Sequence, residues 1–197
     1  MWGAVVLGLI SAASVAAQRP SMPQCPELDK SSPAQLLKYL ADDGGKQSKE
    51  CMEFAIRRLG DAEYVPAIDV LIMNLEFESL AVSRGLPGGT VSIYTMRGFY
   101  PAKVALTQIG LPASDKLVAA IAKRETTDFS AQLAGEALLS IHSRDDPSIA
   151  VAALIAAADS TPDPKAAARL RKEARRMMST GCPGEFRLQC EAALSGK

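Results

Sequence analysis

The chain has 197 residues, long enough to bury a real core within one domain. Lys and Arg number 22, as do Asp and Glu, so no net charge argues for nucleic acid or an anionic membrane as the partner. Alanine and leucine dominate and aromatics are only 5 %, which favours helices packed through small side chains over a β-sandwich.

Trp2 to Ala17 carries no charge and ends in Val15-Ala16-Ala17, the small-residue pattern of a signal-peptidase site. Spanning a bilayer takes about 20 apolar residues, so this run reads as a signal peptide (residues 1–17) cleaved after Ala17. Export to a secreted or periplasmic location is therefore expected, with no stable membrane insertion afterwards. Residues 18–32 are Pro-rich and polar, and read as an extended arm. Cys25, Cys51, Cys182 and Cys190 all lie in the mature part. An even number of cysteines in an exported chain suggests disulfides. Zinc is disfavoured, because no C-x-x-C occurs and the sole histidine is His142.

The remainder, 33–197, reads as one helical domain. Ser32-Pro33 suits an N-cap followed by Pro at N1, opening a helix Pro33–Ala41. Met52, Ala55, Ile56 and Leu59 then share one helical face, as do Ile68, Leu71, Ile72 and Leu75. These stripes predict helices over 47–59 and 63–77. Gly60 falls where a left-handed residue past a helix end is needed, and Pro66 suits the first turn of the next helix. Residues 78–98 interrupt the pattern, and two readings stand: a small β-hairpin or a loop without strands. The Gly85–Gly89 turn lacks the Lys-Ser/Thr and helix opening of a phosphate cradle. Ala102, Ala105, Leu106 and Ile109 restart the helical stripe, and Gly110 ends it. The partner helix covers about 114–123. A third pair starts near Ser130, with Ala134, Ala137, Leu138 and Ile141 on its first helix and Ala150, Ala153, Leu154 and Ala157 on its second. A basic helix, 165–179, and a last short helix holding Phe186, Cys190, Ala193 and Leu194 complete the chain.

Ala55–Gly60, Ala105–Gly110 and Ala137–His142 occupy the same place in successive pairs. The interval from Ala105 to Ala137 lies in the solenoid range of about 20–50 residues. RRLGDAEYVPAIDVLI and YPAKVALTQIGLPASDKLVAAI resemble the short bacterial HEAT-like repeats, the type also found in phycobilisome lyases. The likeness covers roughly 47–159. It departs from the repeat pattern at Gly110-Leu111-Pro112, which lacks Val-Pro, and at His142, which stands where Gly is usual. It implies an all-α fold: a short solenoid of antiparallel helix pairs with capping helices at its ends. It implies little about function, because such repeats serve diverse tasks.

In a solenoid the two chain ends lie too far apart to cross-link. The expected bridges are therefore Cys25–Cys51 and Cys182–Cys190. The second carries a tension, since a straight helix from Pro183 to Cys190 would hold its sulfurs apart.

His142 reads as a helix-end residue rather than a catalytic base. Asp42-Asp43, Asp61 and Asp145-Asp146 read as caps and turn residues. The basic helix could meet the acid-rich segment 42–78 of another molecule, with a solvated charged face as the plainer reading. The expected task is non-catalytic and cofactor-free: binding a protein or peptide in a shallow apolar groove on the second helices, lined by Val70, Met73, Val118, Ala119 and Ile155 and edged by Lys123. The alternatives are a cofactor-handling or lyase-like enzyme and a purely structural spacer. Burial under the 165–179 helix or the hairpin is the rival account for Val151, Ala152 and Ile155.

Overall fold

The computed structural model describes residues 24–42, 47–79, 99–143, 145–182 and 184–195. The expected signal peptide and the hairpin-or-loop alternative for the insertion fall outside these residues, apart from the insertion's first two positions, Glu78 and Ser79. Among the described residues the fold is all-helical, with nine α-helices and no strand. They are α1 (Pro33–Ala41), α2 (Lys49–Asp61), α3 (Ile68–Met73), α4 (Pro101–Ile109), α5 (Ser114–Ala122), α6 (Asp128–His142), α7 (Ser148–Ser160), α8 (Pro164–Gly181) and α9 (Arg187–Ser195).

The caps explain most boundaries. Ser32 and Gln35 form a reciprocal capping box at the start of α1. Gln47 does not join α2, because its side chain donates to the carbonyls of Tyr39 and Asp42 at the end of α1. Ser48 caps α2 in its place. Short 3-10 turns, Val65–Ala67 and Leu111–Ala113, admit the prolines ahead of α3 and α5. The second helix of the first pair is consequently much shorter than the periodicity predicts.

Gly60 corrects the sequence reading. It stays inside α2 and is not left-handed; Glu63 takes that conformation, with φ 47°. Glu63 N–H donates to Gly60 O at 2.8 Å and Tyr64 N–H to Leu59 O at 3.0 Å, a Schellman closure three residues later than expected. What Gly60 supplies is closeness. A Cβ placed there would lie 2.6 Å from Ala105 Cα. Gly110, by contrast, does end α4 with a positive φ of 77°.

One buried cluster runs through the described helices. Ala55, Ala105 and Ala137 are fully buried at matching positions of α2, α4 and α6, and Leu71, Leu117 and Leu154 match on α3, α5 and α7. The helices α2, α4, α6 and α8 touch in that order, and so do α3, α5, α7 and α9. Each of α3, α5 and α7 also packs on the helix that follows it. Burying a leucine at these sites contributes roughly 1.5–3 kcal/mol each.

The cysteines pair as Cys25–Cys51 and Cys182–Cys190. The geometric tension in the second pair resolves through a late start of the last helix. A 3-10 turn, Gly184–Phe186, precedes α9 and brings the two Cα atoms to 6.6 Å. Bonds of this kind belong to oxidising, extracytoplasmic settings. No single helix among the described residues is long and apolar enough to cross a membrane.

Candidate functional site

The predicted groove residues divide. Val70 and Met73 lie on and at the end of α3, and Val118 and Ala119 lie on α5, two helices in contact. Met73 is 74 % exposed, Ala119 and Lys123 are exposed, and Val70 and Val118 are half-buried. An ion pair from Lys116 to Asp69, 3.0 Å long, spans the two helices. Ile155 does not belong with them. It is buried at 8 % exposure and lines a separate cleft between α7, α8 and α9. The terminal helices thus flank Ile155, while Val151 is buried and Ala152 exposed. Helical period identifies a face; it does not say which neighbour covers it.

The basic helix α8 spends most of its charge inside the molecule. Arg171 pairs with Asp159 at 2.7 Å and Lys172 with Asp128 at 2.8 Å. Arg169 donates to Ala122 O at the carbonyl end of α5, where a cation suits the helix dipole. Arg176 grips both oxygens of Glu173, at 2.9 and 3.0 Å from its Nε, and donates to Gln132 O. Among the described residues Arg175 and the Lys165 side chain are the members of the helix without such a partner. The helix therefore acts chiefly as a charged staple across α5, α6 and α7.

Glu173 belongs to a polar cluster that sequence reading missed. Its carboxylate fills the space beside Gly135, where a Cβ would lie 1.9 Å from Glu173 Oε1. Lys103 is buried on α4 and meets Glu136 at 2.9 Å, and Glu136 lies 3.6 Å from Arg176. Burial pushes the Glu173 carboxyl up, against the hydrogen bond and charge of Arg176. Burial also pushes Glu136 up, but hydrogen bonds from Lys103 and Gln132, with the charges of Lys103 and Arg176, outweigh it and hold that carboxyl below its ordinary value. The cluster is a structural lock between α4, α6 and α8. Its signal in the sequence is Gly135, a glycine in the interior of a regular helical pattern, which asks for a packing reason. On α2 the matching place holds buried Glu53, which accepts hydrogen bonds from Arg57 and from Ser79 Oγ at 2.7 Å. Ser79 is itself buried, and its N–H donates to Phe99 O at 2.7 Å. The second residue of the insertion is thus part of the packed structure.

His142 closes α6 as expected and adds a cross-link, with Nε2 3.2 Å from Ser114 Oγ at the start of α5. Backbone N–H groups of Asp145 and Asp146 donate to the His142 carbonyl, at 3.2 and 3.1 Å. Burial lowers the pKa of the imidazole, against Asp145 and Asp146, which raise it. The fold therefore prefers the neutral ring. Its contribution is complete above the unfolded pKa of about 6.5 and is lost as pH falls from there towards the lower folded value. His142→Asn is expected to flatten the melting temperature between about pH 7.5 and pH 5.5, where the parent should lose stability. Parallel melting scans check this; an unchanged pH slope in the variant would remove His142 from the account.

Cys25, Glu27 and Cys51 gather their ligand atoms within 4.8 Å of one another. With the sulfurs joined, the arrangement is a disulfide beside a carboxylate, Glu27 Oε1 lying 3.1 Å from Cys51 Sγ. No protein-family model, no curated protein and no solved structure matches this chain.

Proposed function

We propose that this protein is an exported, non-catalytic HEAT-like α-solenoid that holds a protein or peptide segment against the exposed face of α3 and α5. The repeat reading is supported by the matching buried positions on successive helices and by the two interleaved rows of helix contacts. The binding reading is carried by one observation. Met73, a large apolar side chain, is 74 % exposed at the end of the helix that carries half-buried Val70, and that helix touches α5, which carries half-buried Val118. Exposed apolar surface of this kind marks interaction sites when it is contiguous. Two disulfides support an extracytoplasmic setting, and so does the apolar N-terminal run.

The double variant Met73→Glu/Ala119→Glu tests the reading. Both positions are exposed, so its melting should stay within about 0.5 kcal/mol of the parent at each site. Recovery of partners from envelope extract should fall to background. Equal recovery by parent and variant would defeat the proposal, and unfolding of the variant would place both residues in the core.

A further inference from the structure

The cleft that takes Ile155 has a chemistry of its own. It is ≈ 240 Å³, lies between α7, α8 and α9, and is lined by Ile155, Asp159, Arg171, Arg175, Leu194 and Ser195. The three helices that frame it are fixed, since α7 packs on α8 and α9 and the Cys182–Cys190 bridge ties the end of α8 to α9. Ile155 and Leu194 give it an apolar part. Two guanidinium groups stand against a single carboxylate. Arg171 is held by Asp159 at 2.7 Å, whereas Arg175, one helical turn further along α8, has no ion pair or hydrogen bond among the described residues. Every other arginine of that helix is engaged. Among the described lining residues one unit of positive charge is therefore left over, which suits a monoanion better than a phosphate dianion. The guanidinium fork can hold a carboxylate through two parallel hydrogen bonds.

We propose that this cleft binds a carboxylate carried on a short apolar group, with the carboxylate on Arg175 and Arg171 and the apolar part against Ile155 and Leu194. Pockets for drug-sized ligands run from about 300 to 1,000 Å³, so this smaller cleft takes a group the size of one residue or a short acyl chain, not a lipid. Two sources share that chemistry: the C-terminal residue of a peptide and a free short-chain carboxylic acid. The cleft shares no residue with the exposed α3/α5 face, so it stands or falls separately from the proposed protein-binding role.

Calorimetric titration of the full chain tests it, with hexanoate and an N-acetylated peptide ending in a free leucine as probes. Hexanamide and the same peptide as its C-terminal amide serve as neutral partners, and inorganic phosphate as the plain anion. At least one acid should bind saturably, at least about tenfold tighter than its amide and than phosphate. The tighter of the two acids names the source. Arg175→Gln should weaken that binding about tenfold or more, while Lys165→Gln, on the same helix outside the cleft, should leave it unchanged. Because Arg175 is exposed and has no ion pair among the described residues, its variant should melt with the parent. Acids that bind no better than their amides or phosphate, or an Arg175→Gln protein that binds like the parent, would overturn the proposal.

Discussion

Gly60→Val is expected to destabilise the protein by at least about 3 kcal/mol. Overpacking a core commonly costs about 1–3 kcal/mol, and this site lies at the severe end. A Cβ at Gly60 would stand 2.6 Å from Ala105 Cα and 2.7 Å from Ala105 Cβ. No rotamer change relieves a collision with backbone, so α2 and α4 must separate, and that interface is among the most extensive in the molecule. Even Gly60→Ala should lose, although alanine gains about 1 kcal/mol of helix propensity over glycine. Gly135→Ala should lose less, because it meets the carboxylate end of Glu173 rather than backbone. Gly184→Ala should be near neutral, since a Cβ there meets nothing within 4 Å. Urea unfolding of the series checks the ranking; a Gly60→Val protein as stable as Gly184→Ala would mean that the two helices do not meet so closely.

The second large effect concerns Cys25–Cys51. The bond spans 26 residues and joins the N-terminal arm to α2. In the loop-entropy account a closure of that size stabilises by about 3 kcal/mol. Cys25 and Cys51 are both buried, so their loss also loosens the packing under α1. The double variant Cys25→Ala/Cys51→Ala should lower stability by about that amount, and the Cys182–Cys190 bridge, which spans 8 residues, should contribute less. Chemical denaturation of the two double variants compares them. Equal, small losses would show that the arm is already released in the native state.

Much of the helical pattern was legible because burial obeys a simple period. Ala55, Ile56 and Leu59, then Ala105, Leu106 and Ile109, are buried as their spacing predicts. Gly110 and the Ser32 cap were legible for the same local reason. Gly60 was not, because a glycine near a helix end signals either a left-handed turn or a close neighbour. Only the position of Ala105 in space separates the two. The cluster of Lys103, Glu136, Glu173 and Arg176 escaped because its members come from three helices far apart in sequence. For the same reason the sequence did not show that the basic helix is largely paired within the molecule. Ile155 had the right period for a groove and the wrong neighbours.

The exposed α3/α5 face is the centre of the functional account, and a photo-crosslinker at position 73 tests it most directly. The same probe at Leu188, which is 78 % exposed on α9, controls for mere apolar adhesion. Irradiation of cells producing each protein should give a discrete adduct from position 73 and none from position 188. The same adducts from both positions, or none from position 73, would contradict the account.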